Sequence, residues 1–136
     1  MGRRLLVPCT ASMFWIAAGA HAHHSFSAEF DRDKPITLTG SVSKLEWTNP
    51  HARIYIDVED ESGQRVTWDF ELGPPNGLMR LGWNSRSLRA GQVVTIEGFL
   101  SKTEPHVANA RTVRLPDGRQ VFAGSSFDTT APADDR

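Results

Sequence analysis

Val66-Thr67-Trp68-Asp69-Phe70-Glu71-Leu72 decides the fold. Apolar and polar residues alternate through it without a break, a period of two that suits an extended strand with one face on a core and one facing out. This places Trp68 in the core with Val66 and Phe70. Upstream, Asp60, Glu61, Ser62 and Gly63 give a turn, and before the turn Ile54, Ile56 and Val58 alternate with Arg53, Tyr55 and Asp57, so the two runs form a hairpin. Asn49-Pro50-His51 interrupts the chain ahead of it, because proline removes a ladder donor and asparagine favours turns. Earlier still, Ile36, Leu38, Gly40 and Val42 alternate before the phase moves to Leu45 and Trp47. A long strand from Pro35 to Trp47, with a bulge or bend, accounts for that shift.

Downstream, Pro74, Pro75, Asn76 and Gly77 close the hairpin, and Leu78 to Trp83 has the length of one or two helical turns between Gly77 and Gly82. Val93 to Leu100 is a further strand, in which Gly98 marks a bend or a close backbone approach. Val107 to Leu115 and Arg119 to Ala123 form a last hairpin about Pro116, Asp117 and Gly118. The expected fold is therefore all-β: a small OB-like barrel of five or six strands with one short helix between strands 3 and 4. A two-sheet sandwich is the alternative that the same alternation would serve.

The N-terminus has the three parts of a secretory signal: Arg3 and Arg4, an apolar stretch from Leu5 to Ala20, and small residues at Ala18, Ala20 and Ala22. With Pro8, Thr10 and Ser12 inside it, the stretch falls short of the roughly 20 apolar residues of a membrane span. Residues 1–22 are read as a cleaved signal, 23–124 as a single domain and 125–136 as a polar, disordered tail. The expected location is periplasmic or secreted, with no stable membrane insertion after cleavage. Cys9, the only cysteine, falls within the signal, so the processed chain has no disulfide and no thiolate ligand. Loss of Arg3 and Arg4 takes the formal charge from −1 to −3, which argues against a nucleic-acid partner.

His23, His24, Ser25, Phe26, Glu29, Phe30 and Asp31, followed by Glu46-Trp47-Thr48-Asn49-Pro50-His51, resemble a family of small exported bacterial proteins of unknown function. The resemblance continues through Phe70 to Gly73, Gly82 and Trp83, Gly91 to Gly98, and Asn109 to Ser125. It implies a one-domain exported protein and carries no activity or catalytic residue with it.

All five histidines fall in expected termini or loops: His21, His23 and His24 at the cleavage region, His51 in the Asn-Pro-His turn, His106 before the last hairpin. Imidazole nitrogens without thiolates favour tetragonal Cu(II) or Ni(II). Cleavage after Ala22 makes His23 the first residue, whose amine and Nδ1 chelate one ion while a second histidine adds a third nitrogen. Cleavage after Ala20 gives His21-Ala22-His23, whose amine, two backbone amides and imidazole form a square-planar site. His23, His24 and His51 are the candidate metal ligands and copper the candidate ion. The plainer reading is a polar terminus without a ligand and a turn histidine bonded to backbone.

Trp47, Asn49 and His106 are the candidate ligand-binding residues, with Trp47 bordering the turn. Asp57, Glu59, Asp69 and Glu71 read as a solvated sheet face rather than as paired acid/base carboxylates. Ser125 and Ser126 have no base beside them in sequence, and the glycines form no phosphate loop. No catalytic residue is assigned and no enzyme is expected. The expected function is a binding or accessory module, monomeric or weakly dimeric, whose partner is an envelope protein or a small ligand. It either binds Cu(II) or another divalent metal, or docks that partner without metal.

Overall fold

The computed structural model describes residues 26–124. The signal region, with His21, His23 and His24, and the tail from Ser125 lie outside the described residues. The elements are α1 (Phe26–Glu29), β1 (Phe30–Glu46), β2 (Arg53–Glu59), β3 (Arg65–Glu71), α2 (Pro75–Arg80), β4 (Val93–Ser101), β5 (Val107–Arg114) and β6 (Gln120–Phe122).

The strands close on themselves. β1 pairs with β2 along its second half and with β4 along its first, β2 with β3, and β4 with β5, all antiparallel. A parallel pairing of β3 with β5, Asp69↔Val107 to Glu71↔Asn109, completes the ring. This is the OB-like barrel expected from the alternation, with α2 between β3 and β4. β6 continues along the same edge of β5 beyond β3. The two meet where the Gly73 amide donates to the Ala123 carbonyl at 2.8 Å.

The apolar stripes meet inside: Val42, Ile54, Ile56, Phe70, Val94, Ile96, Ala108 and Val113 are buried, and Leu78 and Trp83 close one end with Leu72 and Ala123. The phase shift in β1 is a break in register between Val42 and Lys44. Gly98 is a close approach, since a Cβ there would lie 1.9 Å from the Asn109 carbonyl oxygen.

Three details differ from the sequence reading. β1 begins at Phe30, five residues before Pro35, and is preceded by the unexpected turn of helix α1. α2 begins at Pro75 rather than Leu78, because proline at the first helical position loses no hydrogen bond and brings φ preset for the helix. Trp68 is half-buried, with one side on the core and its edge contacted by His106.

The β2–β3 turn is tied by Asp60, whose Oδ1 accepts from the Ser62 and Gln64 amides at 2.8 and 2.9 Å and from the Ser62 hydroxyl at 2.6 Å. The Ser62 hydroxyl first, then the amides, hold its carboxyl below the ordinary aspartate value. A lowered folded value means that this stabilisation is present above the ordinary aspartate range and is lost as pH falls through the folded value. Urea midpoints of the wild type and Asp60→Ala should therefore differ near neutrality and converge in acid; a constant gap would remove the carboxylate from the account.

Candidate polar site on the barrel wall

Directly paired residues share a face of a sheet. The pairings Glu46↔Arg53, Arg53↔Glu71, Glu71↔Asn109 and Asn109↔Phe99 therefore lay one row across the outside of β1, β2, β3, β5 and β4. Their inward neighbours Ile54, Phe70 and Ala108 are fully buried.

Arg53 bridges two carboxylates on β3. Its Nη1 donates to Asp69 Oδ2 at 2.5 Å and its Nη2 to Glu71 Oε2 at 3.1 Å. On the other side of Glu71, the His51 Nδ1–H donates to Oε1 at 2.9 Å. Both oxygens of Glu71 are thus engaged, and its side chain is only 10% exposed against 35% for His51. Burial raises the Glu71 carboxyl above the ordinary glutamate value; His51 and Arg53 pull it back, and the charge of Glu29 adds to the rise. The sheet face read from sequence as solvated is, at Glu71, nearly buried and cross-linked. Its outer partners come from long-range strand pairing, which alternation within one strand does not show.

Two acceptors in this patch have no donor among the described residues. They are Oδ1 of Asn109, which is 1% exposed and paired with Glu71, and Oδ1 of Asp69, which is likewise buried. At the far end of the row the Phe99 ring meets Phe26 of α1 edge-on, with centroids 5.7 Å apart, and Phe26 also lies 5.6 Å from Phe30. The described chain therefore starts against the same outer row.

Of the residues singled out from sequence, His51 joins the cluster directly. His106 lies at its other end, in the turn just before β5 as expected, where its carbonyl accepts from the Asp69 amide at 2.9 Å and its ring meets Trp68 at 5.2 Å. A left-handed φ of 57° fixes its backbone. Trp47 is half-buried against the core, and Asn49 is exposed, joined to Pro50 by a cis peptide bond. His23 and His24 lie outside the described residues. Arg53 and Asn109 were not singled out; the hairpin signal of Asp60–Gly63 already set Arg53 opposite Glu71, whereas Asn109 reaches the row only through the β3–β5 pairing. Among the described residues, no three His, Cys, Asp or Glu side chains are grouped to hold a metal ion, and no helix is long and apolar enough to cross a membrane.

The fold resembles, at a TM-score of 0.47 and 14% identity, the crystal structure of the mitochondrial single-stranded DNA binding protein Rim1 from S. cerevisiae, over 60% of this chain and 92% of that one. No curated protein matches the sequence. The pattern of a family of unknown function matches residues 12–108, which takes in the Glu46–His51 segment and stops short of Asn109–Ser125. By that match, over well more than half its length, the chain belongs to the family of unknown function DUF6152.

Proposed function

We propose that this is an exported accessory protein that binds Cu(II) through the histidines at the N-terminus of its processed chain, with His51 as the ligand contributed by the barrel. The observation that carries the reading is the Glu71–His51 hydrogen bond. A carboxylate on Nδ1 fixes the tautomer and leaves Nε2 as the lone-pair nitrogen, the arrangement that orients metal-bound histidines. The His51 side chain is partly exposed, which favours access to its ring from outside the barrel. Phe26 supports the partnership, because it rests on Phe30 and Phe99 at one end of the row that holds Glu71. His24 is two residues upstream, and each extended residue adds at most about 3.5 Å. Nitrogen donors without thiolate suit tetragonal Cu(II).

The terminal amine is a donor only when free and deprotonated, so affinity depends on signal removal. Mass spectrometry of the exported protein fixes the first residue, and Cu(II) titration followed by electron paramagnetic resonance reads the site. Processed protein is expected to bind at least about tenfold more tightly than protein extended by methionine, in keeping with loss of a chelating donor. His51→Ala is expected to weaken binding and alter the nitrogen hyperfine pattern. Equal affinity of processed and extended protein overturns the terminal site, and a metal-free docking module then becomes the better account.

A further inference from the structure

We infer that the crevice between the segment after α2 and the β5–β6 hairpin binds a small organic carboxylate with an apolar body, its charge received by the Arg119 guanidinium. The site is independent of the copper reading.

The crevice has a volume of about 240 Å³ and is lined by Trp83, Asn84, Ser87, Leu115, Arg119 and Val121. Its floor is apolar. Leu115 and Val121 pack against the core, and Trp83, 4% exposed, spends its indole N–H on the Phe122 carbonyl at 2.9 Å. Backbone bonds hold both walls: the Trp83 amide donates to the Leu78 carbonyl at 3.0 Å, and the Leu115 amide to the Arg119 carbonyl at 2.8 Å across the hairpin tip.

Each polar side chain on the rim keeps donors to spare. The Ser87 hydroxyl accepts from the Asn84 amide at 2.8 Å, which leaves its own O–H to give. The Asn84 side-chain carbonyl accepts from the Arg86 amide at 2.8 Å, which leaves its two N–H bonds. Arg119 gives its Nε–H to Asp117 Oδ2 at 2.7 Å, and neither Nη group is bonded among the described residues. Asp117 thus holds the guanidinium by its side and leaves the two-pronged end, which suits a carboxylate. The surrounding charge has the matching sign. Across residues 79–92 and 111–122 stand Arg80, Arg86, Arg89, Arg111, Arg114 and Arg119 against Asp117 alone, in a chain whose formal charge is −1.

Size and polarity together select the ligand. Ordinary small-molecule pockets run from about 300 to 1,000 Å³, so this crevice takes a body of one ring or a short branched chain. An apolar floor under a donor rim calls for carbon carrying one anionic group. Arg119 is the one cation lining the crevice, which matches a singly charged carboxylate better than a doubly charged phosphate.

The test is a heteronuclear NMR titration of processed protein, without metal and at fixed ionic strength, with benzoate, its neutral counterpart benzamide, and acetate. Benzoate is expected to shift the amides of residues 82–87 and 115–121 and to saturate in the low millimolar range. Benzamide, which lacks the charge, and acetate, which lacks the ring, should each bind about tenfold more weakly or less well still. Arg119→Ala should lower benzoate affinity about tenfold or more, and Arg119→Lys should recover only part of it. Arg80→Ala, outside the crevice, should bind as the wild type does. Amide dispersion checks the β fold of each variant, and should Arg119→Ala disturb the hairpin, the lysine variant carries the comparison. Benzoate binding no better than benzamide or acetate overturns the inference, as does undiminished binding in Arg119→Ala. Shifts spread over all the arginines also overturn it, in favour of general anion attraction. Cu(II) affinity in Arg119→Ala should match the wild type, so failure of either reading leaves the other standing.

Discussion

Gly98→Ala is expected to lose about 3 kcal/mol or more of stability, at or beyond the upper end of ordinary overpacking. The added methyl would sit 1.9 Å from the Asn109 carbonyl oxygen and 2.9 Å from its carbon, both backbone atoms. Flexible side chains can turn away from an intruding atom, but a carbonyl inside the β4–β5 ladder can move only by shifting the strand. That shift falls at the register break between Glu97 and Gly98 and next to β5's pairing with β3. Gly77→Ala in α2 is the control: its Cβ would meet only Pro74, at 3.7 and 3.9 Å, and helix propensity should make the change neutral or stabilising by about 0.5–1 kcal/mol. Urea unfolding of the two variants reads the contrast. Similar midpoints for both would mean that β4 can yield at Gly98.

Arg53→Ala in metal-free protein is expected to cost about 2–3 kcal/mol, below the 3–5 kcal/mol typical when one partner of a fully buried pair is removed. The reduction reflects the 29% exposure of the Arg53 side chain. Its loss leaves Glu71 nearly buried with only His51 beside it, and leaves Asp69 without its bond at Oδ2. Arg53→Lys keeps the charge but not the two-pronged donor, and should recover only part of the loss. The pH dependence has a definite sign. The folded Glu71 carboxyl lies above its ordinary value, so the folded state holds its proton more tightly than the unfolded chain does, and stability declines as pH rises from the ordinary glutamate value through the folded one. Arg53 opposes that rise. Removing it should raise the folded value further and extend the decline to higher pH. Denaturation midpoints followed from acid to neutral would show a gap that widens with pH; a gap that narrows would contradict the pairing.

The two predictions divide along the line between what one strand reveals and what only paired strands reveal. Alternation in β2 and β3, the shifted phase of β1 and the glycine in β4 are properties of single segments, so the barrel was readable from them. Glu71 obeyed the same alternation and pointed outward as read. Whether an outward residue is wet depends on its neighbours, and these arrive from the turn at His51, from Arg53 across the hairpin and from Asn109 through a parallel pairing with no local turn to announce it. Trp68 illustrates the same limit: its face was right, but it is only half-buried, and the ring that meets it comes from His106, just before β5. α1 left only a four-residue trace, Phe26–Glu29, too short for helical periodicity to register.

β1 is 17 residues long and touches both halves of the ring, yet its partners are unequally distant along the chain. Those in β2 follow within a short loop, while Thr39 lies opposite Thr95 and Ile36 opposite Gly98. For a chain that emerges N-terminus first, from a ribosome or a translocation pore, the first strand out must wait for one of the last. Until residues 93–101 appear, Ile36 and Leu38 lie on a strand whose β4-side amides and carbonyls have no partner. Early on, the second half of β1 with β2 and β3 is the piece that can assemble from neighbours alone. Closure is then a late, collective event, of the kind that makes barrels with distant pairings fold slowly and leaves their early strands open to association with other chains.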